Sequence, residues 1–281
     1  MPWGNAHTMT TTHRLLIAGS AALAGFALYS NAAGPLTPPA PPGDSAAEMP
    51  SLTELHRAAY QGRTPLVGST GTLTISQPGS YVLTGNITVG QVDGISITAN
   101  DVTLDLNGFT ISTTSNAFAA HRGIFVQGNN VVIRNGRIKG NYVNIGGELT
   151  GGGFSTGVEG DFNSSSAGTN VVCEDLQVIG CDHGIHFYWQ EGNYTVRRCN
   201  IHHTGSAISL AGIPAGVQNT VSECQVVQCS GTGITAGLVK DCYVMINTTL
   251  PSPPDAIYAS LAIGCRVSSG NVNVGNRYNM P

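Results

Sequence analysis

Carboxylates and imidazoles are clustered between residues 159 and 186 of this 281-residue sequence. Two neighbouring carboxylates can divide the work of general acid and general base, as they do in glycoside hydrolysis. Like charge raises the pKa of one carboxyl group, and a nearby imidazole helps to keep the other ionised. The candidate catalytic residues are therefore Glu159, Asp161, Asp182, His183 and His186.

A second group of side chains could hold a sugar without reacting with it, because aromatic faces stack on sugar rings and polar groups contact their substituents. Its members are Arg122, Phe125, Tyr188, Trp189, His202, His203 and Tyr258. The alternative is that both groups form the ordinary polar surface of a soluble protein. The sequence has no CxxC pair, and we expect no metal site.

Two short frames that alternate from residue 66 determine how these side chains are positioned. The long frame is seen in "VVIRNGRI" (131–138) and "YTVRRCNI" (194–201), and the short frame in "GIFV" (123–126) and "GIHF" (184–187). Apolar positions in the long frame are spaced by three residues and then by two, which breaks the alternation of a straight strand. The chain is predicted to bend inside each long frame, at Asn135, Asp175, Arg198, Glu223 and Asp241.

The outward positions of stacked frames form columns. One short-frame column places Glu159 one repeat before His186, and the next outward position adds Asp161 and Tyr188. The insertion 141–156 precedes Glu159 and could wall a groove there, since long loops on a rigid scaffold tend to be functional. A long-frame column alternates in charge and is predicted to be a structural ladder: Asp105, Arg134, Glu174, Arg197, Ser222 and Lys240.

Three short strands in each repeat of about 25 residues indicate a parallel β-solenoid, an all-β fold whose repeats bury their inner faces against one another. The segments "PGSYVLTGNITV", "DVTLDLNGFTI" and "NNVVIRNGRIKG" resemble secreted bacterial right-handed parallel β-helix proteins with the pectin-lyase-like fold. The resemblance covers about residues 64–270 and implies a three-sheet right-handed solenoid, of which the frames predict about seven coils.

The resembling family includes lyases, hydrolases, epimerases, tailspikes and adhesins, so the fold does not identify the activity. The motifs of a polygalacturonase are missing, apart from an early "RIK" at 137–139 that we interpret as chance. A pectate-lyase-like calcium site would need an acidic cluster with a cation on a nearby coil, and only Arg122 fits. We expect no cofactor, and calcium, the one candidate, has no motif to support it.

All seven cysteines lie between residues 173 and 265, and four of them share one inward column: Cys199, Cys224, Cys242 and Cys265. Stacked neighbours about 4.8 Å apart would be at the short end of disulfide geometry, with side chains pointing in parallel. Although export favours disulfides, we predict a buried ladder of unpaired thiols.

The N-terminal segment 1–32 has the layout of a secretory signal peptide, with translation beginning at Met1 or Met9. Its apolar run of 15 residues, Leu15 to Tyr29, is shorter than the ~20 of a membrane span, although an anchor is the alternative. A Pro-rich linker at 33–50 and a capping helix with its lead-in at 51–65 precede the β-helix domain, 66–281. The mature chain is expected to be secreted, periplasmic or on the cell surface.

A formal net charge of −4 with only 10% charged residues argues against a nucleic-acid binder. We expect an exported carbohydrate-binding β-helix, which would be a polysaccharide lyase or glycoside hydrolase if it is an enzyme. The alternative is a non-catalytic structural or adhesive module of a surface or assembly. The expected partner is a polysaccharide, with no membrane contact after signal cleavage. The C-terminal "NVNVGNRYNMP" lacks a closing helix, which favours self-association through that coil.

Overall fold

The computed structural model describes residues 62–145, 148–161, 168–188, 192–210, 219–247, 254–278 and 280. All of them belong to one compact unit, Leu52–Pro281. The described residues form an all-β structure without a helix, so none of their helices could cross a bilayer. The predicted signal peptide, linker and capping helix lie outside the described residues.

The strands are short and follow one another closely. They are β1 (Thr64–Leu66), β2 (Leu73–Ile75), β3 (Gly79–Leu83), β4 (Ile87–Val89), β5 (Ile95–Ile97), β6 (Val102–Asp105), β7 (Thr110–Thr113), β8 (Phe118–Val126), β9 (Val131–Lys139), β10 (Val143–Ile145), β11 (Glu148–Thr150), β12 (Gly153–Gly160), β13 (Val171–Ile179), β14 (His183–Phe187), β15 (Tyr194–Arg197), β16 (Asn200–His202), β17 (Ser206–Leu210), β18 (Thr220–Ser222), β19 (Gln225–Cys229), β20 (Ile234–Lys240), β21 (Tyr243–Ile246), β22 (Asp255–Ile263), β23 (Arg266–Ser269) and β24 (Asn271–Tyr278).

All strands except β10 and β11 belong to one large parallel sheet, in which each strand pairs with its counterpart in the next repeat. The pairings fall into three ladders. The first contains β1, β3, β6, β15, β18 and one half each of β9, β13, β20, β22 and β24. The second contains β4, β7, β16, β19, β21, β23 and the other halves of β9 and β13.

The third ladder contains β2, β5, β8, β12, β14, β17 and the first halves of β20, β22 and β24. It includes the seven short frames of the sequence and one strand more at each end, β2 and β24. The repeating order of the three ladders gives a solenoid-like architecture, which agrees with the predicted alternation of two frames.

The predicted inward columns form the core. In the long frame, Ile133, Cys173 and Val196 are fully buried, as are Ile138, Val178 and Ile201 farther along the same frames. The apolar positions of the long frame are spaced irregularly because the chain bends there, as predicted. Each bend is formed by a single residue in the left-handed conformation between the first-ladder and second-ladder strands. Its φ lies between 51° and 60° at each predicted bend: Asn135, Asp175, Arg198, Glu223 and Asp241.

The seven cysteines are free and buried, including the four for which this was predicted: Cys199, Cys224, Cys242 and Cys265. Main-chain hydrogen bonds of 2.8–2.9 Å from Gln225, Tyr243 and Arg266 to the carbonyls of Cys199, Cys224 and Cys242 stack the column from repeat to repeat. The thiols donate to main-chain carbonyls inside the core, as Cys224 does to Ser222 at 3.2 Å.

Side-chain amides stack at the corner where the third ladder leads into the first. Asn130 donates to Asp101 at 2.9 Å, Asn170 donates to Asn130 at 3.0 Å, and Asn193 donates to Asn170 at 3.1 Å. Asp101, Asn130 and Asn170 have φ values of 53–56°, a conformation that Asn and Asp tolerate better than most residues. This amide ladder fixes the register of successive repeats and was not anticipated from the sequence.

The predicted charge ladder on the first-ladder face is present. Its ion pairs are in close contact, and its acidic side chains are more buried than those of a solvated surface. Arg134 lies 3.5 Å from Asp105, and Arg197 donates to Glu174 at 2.7 Å. Asp105 and Glu174 are only 6% and 7% exposed. The acids are therefore part of the packed structure, and their arginines cover them.

The insertion folds as an antiparallel hairpin of β10 and β11 between the second and third ladders. At the C-terminal end, β24 pairs with β22 and, within the described chain, with no further strand. Val272, Val274 and Met280 are partly buried against the core there.

Candidate functional site

The outward column of the third ladder is aligned as the sequence predicts. The register pairs Glu159 with Phe125 on one side and with His186 on the other. The preceding outward position aligns Arg122, Thr156 and His183. Because parallel strands hold these positions about 4.8 Å apart, one cation, one carboxylate, two imidazoles and a phenyl ring share a small area.

Glu159 lies within the protein rather than on its surface, with only 5% exposure. Arg122 Nε donates to Glu159 Oε1 at 3.0 Å, and Thr156 Oγ1 donates to Oε2 at 2.7 Å. Arg122 is held in turn by Asp93, 3.5 Å from its guanidinium, and it lies over the Phe125 ring at 4.2 Å from the centroid. Both carboxylate oxygens are thus occupied, and the negative charge of Glu159 is balanced.

His186 stacks on Tyr188, with the ring centroids 3.7 Å apart. The ring centroid of His183 lies 5.1 Å from that of His186. The Nδ1 atom of His186 is buried and finds no hydrogen-bond partner among the described residues. Burial, assisted by His183, lowers the pKa of His186 to about 4, so the imidazole is neutral at physiological pH. Tyr188 remains 38% exposed, with its pKa raised by burial and by Glu159.

The other two candidate acids lie at the margins of this cluster. Asp182 Oδ2 is 3.6 Å from His183 Nδ1, and Gln127 donates to Asp161 at 3.3 Å. Each of the three predicted acids therefore has its own polar partner, and the described contacts do not join them to one another as an acid/base pair.

The remaining candidate residues are dispersed. Tyr258 shares the outward column with His186 but lies three strands farther along, roughly 14 Å at the ladder spacing. His202 belongs to the second ladder, and His203 follows it directly. Trp189 lies outside the described residues. The compact cluster thus consists of Arg122, Phe125, Glu159, His183, His186 and Tyr188.

Sequence reasoning missed a groove on the second-ladder face. Two adjoining clefts of about 410 and 680 Å³ share Thr113, Lys139 and Asn141 and together form what we term the second-ladder groove. Their other lining residues include Asn86, Thr88, Thr110, Ser112, Arg137, Tyr142, Val143, His202 and His203. The sequence feature that could have indicated this groove is the "RIK" segment, which places Arg137 and Lys139 on consecutive outward positions of β9.

The described residues contain no group of three or more His, Cys, Asp or Glu side chains that could hold a metal ion. Comparison of the chain with protein-family models, curated proteins and solved structures finds no match.

Proposed function

We propose that this chain is an exported right-handed parallel β-helix protein, of the pectin-lyase-like kind, that binds carbohydrate on its third-ladder face. Parallel strands joined by crossover connections are right-handed in nearly all proteins, and the repeating order of three ladders supports such a coil. Export rests on the predicted signal peptide alone.

One observation carries the binding proposal: the exposed Tyr188 ring is stacked on His186 beside the Arg122–Glu159 pair. A fixed aromatic face offers a platform for a sugar ring, and the polar groups around it offer partners for hydroxyl groups. The side chains come from strands of a rigid sheet, so little conformational entropy is lost when a ligand binds.

Binding is favoured over hydrolysis. A hydrolase needs one carboxyl group that releases a proton and a second carboxylate across the scissile bond. Glu159 is paired with Arg122 and is almost completely buried. The side chain best placed to be a general acid is therefore committed to a structural ion pair.

A glycan array with the full chain tests the binding proposal, followed by calorimetry on the best ligand. Tyr188→Ala is expected to weaken affinity about tenfold, since an aromatic contact contributes on the order of 1 kcal/mol. Tyr258→Ala, a tyrosine of similar exposure three strands away, should cause a smaller loss. Equal losses for the two variants, or no binding to any glycan, would leave the structural or adhesive module as the better interpretation.

A further inference from the structure

The charges of the described chain are distributed unevenly over its faces. The second-ladder strands contain Arg137, Lys139 and Arg266 and not one Asp or Glu, although the chain as a whole carries a net charge of −4. Those three side chains form no ion pair with a described residue. Six other cations with described side chains do: Arg63, Arg122, Arg134, Arg197, Arg198 and Lys240.

Arg137 and Lys139 project into the second-ladder groove, where they meet hydroxyl and amide side chains. The register places Lys139 beside Ser112, which is itself beside Thr88, and it places Arg137 beside Thr110. The residues that line the two clefts include no carboxylate, so the positive charge of the groove is not neutralised within it. A ligand that crosses the strands would meet a new row of these groups about every 4.8 Å.

A hydrogen-bonded chain fixes Arg137, one of the two cations of this groove. Arg137 Nε donates to Gln177 Oε1 at 2.6 Å, Gln177 Nε2 lies 3.3 Å from His202 Nε2, and His202 Nδ1 lies 2.9 Å from His203 Nδ1. Since arginine can only donate, the Gln177 amide oxygen accepts from it, and the amide nitrogen of Gln177 donates to His202. The chain of contacts thus runs from Arg137 through Gln177 and His202 to His203.

We propose that the second-ladder groove binds an acidic polysaccharide, at a site separate from the third-ladder cluster. Fixed cations attract carboxylate or sulfate groups, and the Thr, Ser and Asn side chains between them suit sugar hydroxyls. A nucleic acid fits less well, because the two clefts offer no exposed aromatic platform for bases. Their tyrosine, Tyr142, is only 5% exposed.

Calorimetry with the full chain tests this site. The probes are polygalacturonate for carboxylates, dextran sulfate for sulfates, dextran as the neutral polymer and a single-stranded DNA oligomer. We expect one or both acidic polysaccharides to bind, with an affinity that falls as salt rises, and dextran and DNA to bind at least tenfold more weakly.

The variants locate the site. Lys139→Gln combined with Arg137→Gln should weaken the affinity for the acidic polysaccharide at least tenfold, as expected when hydrogen bonds to charged groups are lost. Lys240→Gln is the matched control, because Lys240 is exposed, lies on the first-ladder face and pairs with Asp241. It should stay within about twofold of the wild type.

The double variant leaves the third-ladder cluster intact, so failure here is distinct from failure of the third-ladder proposal. The inference is overturned if the double variant binds as tightly as the wild type, if neither acidic polymer binds at millimolar concentration, or if DNA binds more tightly than both. A normal thermal midpoint of the double variant excludes misfolding as the cause of a loss.

Discussion

At the residue scale, the third-ladder cluster consists of polar groups that are held in place by their neighbours. Glu159 is held by Arg122 and Thr156, and His186 is kept neutral by burial. Removal of a buried carboxylate that has two donors destabilises the fold, because its partners lose their hydrogen bonds. The neutral imidazole of His186 resists protonation because its partial burial removes water that would stabilise the charged form. Both residues therefore link the site to the stability of the protein.

Replacement of Glu159 tests the first of these links. Glu159→Gln should destabilise the protein by about 1–3 kcal/mol, because Arg122 loses the carboxylate that it contacts. Chemical denaturation measures the change, and Glu148→Gln, the same replacement at an exposed position of β11, should have little effect. Equal stability of the two variants would contradict a structural role for the ion pair.

The pKa of His186 predicts a pH dependence of stability. The folded pKa of about 4 lies below the ordinary value of 6.5, so between these values the unfolded chain binds the proton and the folded protein does not. The contribution of the neutral His186 to the free energy of unfolding is therefore fully present above about pH 6.5 and is lost progressively as the pH falls towards 4.

Thermal midpoints of the wild type and His186→Asn, measured from pH 7 to pH 4, test this. The wild type should lose more stability over that range than the variant, and the ring of His186 should titrate near pH 4 by NMR. A titration midpoint at pH 6 or above would rule the interpretation out.

At the element scale, the repeat depends on turns and columns that recur along the chain. Left-handed residues bend each long frame, amides stack at one corner, and thiols fill one inward column. Each device uses the same chemistry in successive repeats, so each repeat stabilises the next at its interface. Substitutions at equivalent positions should therefore have similar effects.

The burial of the cysteines predicts low reactivity. Burial raises the pKa of Cys181 to about 12 and that of Cys229 to about 11, and the thiolate is the reactive form. In the native protein, a thiol reagent should label none of the seven cysteines at an appreciable rate. After unfolding without reductant it should label all seven, and a lower number would show disulfides.

The bend residues predict a stabilising substitution. Glu223 has a φ of 55°, which is unfavourable for a glutamate, whereas Asn occupies the corresponding bend at Asn135. Glu223→Asn should raise stability by about 0.5–1 kcal/mol, because asparagine tolerates the left-handed region. Glu148→Asn, in an extended strand, should give no gain, and a loss at Glu223 would argue against backbone strain there.

At the scale of the whole molecule, β24 pairs with β22 on one side and, among the described strands, with none on the other. An edge strand can pair with another chain, and Val272 and Val274 are only partly covered at this end. We therefore expect concentration-dependent self-association in analytical ultracentrifugation, and Val274→Lys should shift the protein towards the monomer. A wild type that stays monomeric at all concentrations would show that this end is protected.

The sequence alone determined the repeating strands, their inward columns, the bends and the unpaired thiols. These follow from local chemistry: apolar spacing selects the buried face, and one left-handed residue breaks the alternation. The alignment of Glu159 with His186 also followed, because a parallel ladder keeps its register over successive repeats.

Only the tertiary structure decided which polar residues are partners. The sequence could not show that Arg122 binds Glu159, that His186 is buried against Tyr188, or that His202 and His203 lie in the second-ladder groove with Lys139. Pairing between side chains depends on their directions and on the packing of corners and insertions. A repeat pattern determines which ladder a residue joins, and its neighbours across the turns become known only when the chain is folded.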